Sequence, residues 1–138
     1  MGYNFTIGNA EAGELMCEEG EYTVPLTVPG LEHDDAPRDD SPTFGTNQRW
    51  PSYSGWNEFC RLTGLHAMFY DEDVGLIRRH PGVFELTPDH IAEIRAAHAK
   101  LKNGDPEVYA EQRGRMEWLE YWTQWALRNC ERPAFKNT

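Results

Sequence analysis

The sequence predicts an α+β fold. Three patterns carry that expectation: strand-like alternation within the first thirty residues, an acidic proline-rich stretch behind it, and two long helical periodicities beyond residue 87. A length of 138 residues fits one domain, with residues 1–50 as a strand and loop region and residues 51–138 as a mainly helical one. Hydrophobic residues at 39% and 17 aromatic side chains supply enough apolar surface for a core, so disorder is excluded as the general state of the chain.

Tyr3, Phe5 and Ile7 alternate with polar or small residues, and Val24, Leu26 and Val28 repeat the pattern, which predicts two strands paired as an antiparallel ribbon. Pro25 cannot donate to a ladder, so the second strand belongs at an edge or a bulge. Between them, Glu14-Leu15-Met16-Cys17 has room for one helical turn. Pro29 to Pro51 contains four prolines, with five acids between Glu32 and Asp40, and is expected to be one long loop.

Ser52 or Ser54 can cap a helix running to about Thr63, because a serine oxygen accepts from the unpaired amides of a first turn. Trp56, Phe59 and Cys60 form its apolar stripe, and Gly64 supplies a left-handed end with Leu65 packing back. Leu65 to Tyr70 is apolar but too short to assign, and Val83 to Leu86 is a short strand after the Pro81-Gly82 turn. Thr87-Pro88 starts a helix carrying Ile91, Ile94, His98 and Leu101 on one face; Asn103-Gly104 ends it. Asp105-Pro106 opens another at once, so the two form an antiparallel hairpin. The last helix reaches about Cys130, before Pro133, and is apolar over an unusually wide arc. It is therefore either the central helix of the domain or a partner-facing one.

Charge narrows the function classes. The chain carries a net charge of -10, and residues 1–50 hold ten acids against Arg38 and Arg49 alone. Direct binding to a phosphate backbone is disfavoured, since that affinity comes from basic side chains releasing counterions. Three widely spaced cysteines read as reduced thiols in a cytoplasmic protein, and neither a membrane span nor a signal peptide is evident.

Chemistry-bearing motifs are scarce. His33-Asp34-Asp35 with Asp39-Asp40 offers metal-type donors, but lacks the alternate spacing and glycine turn of a calcium loop, so a solvated acidic loop is the simpler reading. No zinc spacing, G-x-S-x-G elbow or phosphate-binding glycine loop occurs, and no cofactor or catalytic residue is assigned. His98, between Ile94 and Leu101, reads as a core imidazole satisfied by one hydrogen bond. Thr46 to Asn57 mixes aromatic and adaptable polar groups as binding surfaces do, with Arg49, Trp50, Tyr53, Trp56 and Asn57 as contact candidates. The alternative is that Trp50 and Trp56 staple the helix start to the core. Trp118, Tyr121, Trp122 and Trp125 share one side of the last helix and would form a homodimer face if the chain left them uncovered.

The leading functional expectation is a non-catalytic acidic interaction protein. Asp34, Asp35, Asp39 and Asp40, with the aromatic loop, would engage the basic surface of a protein partner as an inhibitor or nucleic-acid competitor. Two alternatives are a nucleotide-like small molecule held by Arg49, Trp50, Tyr53 and Trp56, and a metal-dependent hydrolase built on His33 and the aspartates.

Overall fold

The computed structural model describes residues 1–10, 36–37 and 45–138. In chain order the elements are β1 (Phe5–Asn9), β2 (Gln48–Arg49), α1 (Tyr53–Thr63), α2 (His66–Tyr70), β3 (Gly82–Glu85), α3 (Pro88–Lys102), α4 (Pro106–Asn129) and β4 (Pro133–Asn137). Among the described residues the strands form one antiparallel sheet in the order β2-β1-β4-β3, and the α+β expectation holds.

The helices α1, α3 and α4 begin where their sequence says they should. Ser52 Oγ accepts from the Gly55 amide at 3.0 Å, Gly64 closes α1 with a φ of 78°, and the Leu65 amide returns to the Cys60 carbonyl. Asp105 Oδ1 accepts from the Glu107 amide at 2.8 Å, with Pro106 in the first turn of α4. At α3 the reciprocal cap comes from an unusual residue: His90 Nδ1 accepts from the Thr87 amide at 2.9 Å, the place more often held by glutamate or glutamine.

β4 corrects the sequence reading. Pro133 appears in the sequence as a stop signal, yet it opens a strand that lies between β1 and β3. Proline is tolerated in that first position. The register sets Phe5 opposite Asn137, Ile7 opposite Phe135 and Phe84 opposite Phe135, so their side chains share the helix-covered face. The stretch from Pro29 to Pro51 is not loop throughout either, because Gln48–Arg49 pairs with Thr6 and Phe5 as an edge strand. Leu65 to Tyr70, unassigned from sequence, contains α2.

One apolar cluster joins Phe5 and Ile7 with Trp56, Phe59 and Cys60 of α1, Ile91, Ile94 and Leu101 of α3, Met116, Trp118, Leu119 and Trp122 of α4, and Phe135 of β4. Phe135 lies 4.7 Å from Phe5 and 5.6 Å from Phe69, ring centre to ring centre. α4 packs on α3, β1 and β4 together, which explains its wide apolar arc: it is the central helix. Trp118 and Trp122 are consequently inside, and the four-ring dimer face is not available on the surface. Trp118 Nε1 also donates to the Thr46 carbonyl at 3.0 Å, tying α4 to the approach to β2.

Several expectations fall outside the described residues: the strand at Val24 to Val28, the turn at Glu14 to Cys17, His33, and the carboxylates Asp34, Asp35, Asp39 and Asp40. Ala36 and Pro37, from the middle of the acidic stretch, are described. Ala36 belongs to the core cluster and Pro37 borders a groove between α3 and α4. Among the described residues no helix is long and apolar enough to cross a membrane.

Candidate functional site

The start of α1, the first residues of the chain and the turn before β3 converge on one cluster. The Tyr3 amide donates to the Pro51 carbonyl at 2.9 Å and the Tyr53 amide to the Met1 carbonyl at 3.3 Å, which lays the first residues alongside the helix entry. Gly2 permits that approach, since a Cβ there would stand 2.4 Å from the Pro51 oxygen. Tyr3 then stacks on buried Phe5 at 5.0 Å and turns edges toward Tyr53 at 4.7 Å and His80 at 5.0 Å. A column of rings thus runs from the core to the surface.

At its outer end three side chains are hydrogen-bonded in series. Asn137 is fully buried at the end of β4, and its Nδ2 faces the carbonyls of Leu76 at 3.3 Å and Gly82 at 3.4 Å. Carbonyl oxygens only accept, so the amide nitrogen must point at them and Oδ1 must point away. That oxygen meets His80 Nδ1 at 2.7 Å, which makes Nδ1 the protonated nitrogen of the neutral ring. His80 Nε2 is left as an acceptor, and the Tyr53 hydroxyl donates to it at 3.2 Å. A buried amide therefore sets the tautomer of an exposed imidazole, which in turn orients a half-exposed phenol.

Tyr53 also lines an open cleft of about 800 Å³ with Tyr3, Asn57, Glu58, Arg61 and Tyr70. Tyr53, Asn57 and Arg61 are successive i,i+4 positions on α1 and form a polar stripe about 12 Å long, at 1.5 Å of rise per residue. Arg61 Nε donates to Asn57 Oδ1 at 2.7 Å, which holds the guanidinium in place and, among the described residues, leaves its terminal nitrogens for another acceptor. Burial, reinforced by neighbouring Tyr3, pushes the Tyr70 phenol upward, so it lines the cleft as a neutral ring. His66 stacks on that ring at 4.7 Å.

The binding loop expected from sequence is thus divided. Tyr53 and Asn57 share the cleft. Trp50 is half exposed but borders a neighbouring hollow of about 500 Å³ with Met1, Asn4, Pro51 and Thr138, and Tyr3 is common to both. Arg49 sits in β2 and lines neither. Trp56 is a correction: it is fully buried, packed on Phe5, Phe59 and Phe69, and offers no surface to a ligand. Helical phase explains the split: at about 100° per residue Trp56 falls roughly 60° to one side of Tyr53, among the buried positions Phe59, Cys60 and Thr63, and Asn57 roughly 40° to the other.

A second group lies between α3 and α4. His98 Nδ1 is 3.1 Å from Glu120 Oε2, Arg95 Nη2 donates to Gln124 Oε1, and Arg113 pairs with Glu117 at 3.0 Å. Arg95, His98, Glu117, Glu120 and Gln124, together with Tyr121, Trp125, Arg128 and Pro37, border a groove of about 620 Å³. The expectation of a satisfied core imidazole is corrected: His98 is half-buried at the groove, its one hydrogen bond goes to the part-exposed Glu120, and its Nε2 is buried without a partner among the described residues.

The sequence reading missed Tyr3, His80, Arg61, Tyr70 and Asn137. Of these, only Tyr3, in the first strand expected from sequence, and Arg61, in the helix ending near Thr63, belonged to recognised elements. Asn137 had no visible signal without β4, and His80 acquires its role only through Asn137. Cys60 is fully buried, and burial drives its thiol upward, as it does at half-buried Cys130, which suits neither to nucleophilic work. Among the described residues no cluster of three or more histidine, cysteine or acidic side chains is placed to hold a metal ion. No protein family model, curated protein or solved structure matches the chain.

Proposed function

We propose that this protein binds a nucleotide-like small molecule in the cleft lined by the outer face of α1 and the tyrosines Tyr3 and Tyr70, with Tyr53 at the helix start. The observation that carries the reading is the combination of three rings lining one cleft with a guanidinium held by Asn57 on the α1 face. Rings present area for a planar base at little entropic cost, and a fixed guanidinium matches a phosphate in bidentate fashion. A volume near 800 Å³ lies in the range of small-molecule sites. The site moves from Arg49, Trp50 and Trp56 to Tyr3, Arg61 and Tyr70, but the ligand class is unchanged.

Adenosine monophosphate and adenosine are the probes of choice. At a concentration of about 100 times Kd a ligand binding only the folded state stabilises it by about 2.7 kcal/mol, which is readily seen in a melting curve. The monophosphate should raise the melting temperature more than the nucleoside, and Arg61→Gln should remove the difference. No shift with either probe at millimolar concentration contradicts the proposal.

A second reading, engagement of a basic protein partner by the acidic segment, draws on the charge of residues 1–50 and on the anchoring of Ala36 and Pro37 against the helical half. Its signature is partner affinity that falls steeply with salt and with replacement of Asp34, Asp35, Asp39 and Asp40 by asparagine. Indifference to both removes it.

A further inference from the structure

We propose that Tyr53, His80 and Asn137 form a proton relay that makes the Tyr53 phenol the nucleophile of the cleft, taking up the phosphoryl group of a bound phosphoester. This rests on the cleft holding a phosphate-bearing ligand. The three groups have the division of labour that covalent catalysis requires: an acceptor that fixes the base, a base with a free lone pair, and a hydroxyl bonded to that lone pair. Here the fixing group is the buried Asn137, whose amide cannot turn without giving up the Leu76 and Gly82 carbonyls. The base is His80, with Nδ1 bonded at 2.7 Å. The hydroxyl is that of Tyr53, 38% exposed and lining the cleft, so it can reach a ligand while still bonded to the imidazole.

The step balances without further reagents. The Tyr53 oxygen bonds to phosphorus as the bond from phosphorus to the leaving oxygen breaks. The phenolic proton passes to His80 Nε2, and from there to the departing oxygen. Water then attacks the phosphotyrosine, giving its proton to His80, and the phenol leaves and is reprotonated. The net reaction is hydrolysis of the ester.

A structural clamp would show the same hydrogen bonds, so the test reads reactivity. A fluorophosphonate is the probe: its phosphorus accepts the phenol oxygen, fluoride leaves, and the added mass is placed by peptide mapping. The relay predicts labelling of Tyr53 on the order of 10²-fold faster than of Tyr3, Tyr70 or free N-acetyltyrosinamide, the scale of a positioned general base. His80→Gln should abolish that advantage, and the comparison with N-acetyltyrosinamide needs no variant should His80→Gln fold poorly. Equal rates at Tyr53 and the reference tyrosines, or an advantage that survives His80→Gln in folded protein, overturn the relay. Melting shifts with adenosine monophosphate read the binding separately: a shift with ordinary Tyr53 reactivity leaves the cleft and removes the relay. Fast Tyr53 labelling without any shift leaves a reactive phenol and removes its phosphoester substrate, and with it this proposal.

Discussion

His80 and His98 are both held at Nδ1 by an oxygen acceptor, yet their surroundings send them to opposite ends. At His80 the acceptor is a buried neutral amide and the second nitrogen faces a surface hydroxyl. At His98 the acceptor is the partly exposed carboxylate of Glu120, and the second nitrogen is turned inward, buried and unpaired among the described residues. A base needs its lone pair where a substrate can come, and only His80 has it there. The lesson is that burial of the orienting group, with exposure of the working one, separates a poised imidazole from a packed one.

The comparison breaks most severely if the platform under it goes. Phe135→Ala removes a fully buried ring from an inner strand and should cost ~3–5 kcal/mol in urea unfolding, affecting both histidines. Asn137→Ala is more selective. It strands two carbonyls and His80 Nδ1, so a loss of about 1–3 kcal/mol is expected together with a disordered His80 ring in the NMR spectrum.

A third histidine sharpens the contrast through pH. His90 accepts the Thr87 amide at Nδ1, and burial lowers its pKa below the ordinary value of 6.5, against smaller opposing effects of Glu93, Asp89 and Glu85. The unfolded chain therefore takes up the proton first. The contribution of this cap is complete above about pH 6.5 and declines as pH falls toward the depressed folded value. A cap is worth about 1 kcal/mol, so urea midpoints should drop modestly across that interval, and His90→Glu should flatten the decline.

Replacement of His98 should do less. His98→Leu removes a part-exposed pair with Glu120 while relieving a buried unpaired nitrogen, and a net change within about 1 kcal/mol of zero is expected. Tyr53→Phe is the mildest for stability, within about 0.5 kcal/mol for a half-exposed hydroxyl, yet it should erase the fast fluorophosphonate label and leave only the slow reaction of the other tyrosines.

Much of the helical half was legible from sequence because its signals are local: Ser52 and Gly64 bracket α1, and Thr87-Pro88 and Asp105-Pro106 open α3 and α4. The site was legible only in part. Tyr53 and Asn57 stood out by residue type, whereas Trp56 stood out for the same reason and belongs to the core. The missing half depends on β4, a five-residue strand opened by a proline, which shows no long periodicity and earns its place only by pairing with β1 more than 120 residues away. Without that pairing Asn137 is one more polar residue near the end of the chain, and His80 has nothing to orient it.

The central claim is that a buried amide dictates the proton position on His80, and the most direct measurement is a long-range nitrogen–proton spectrum of the ring at a pH where it is neutral. The account predicts the proton on Nδ1, the form less favoured in free histidine, reverting to Nε2 in Asn137→Ala. A proton on Nε2 in the native protein would leave Asn137 Oδ1 without its donor and Tyr53 without an acceptor, and would contradict it.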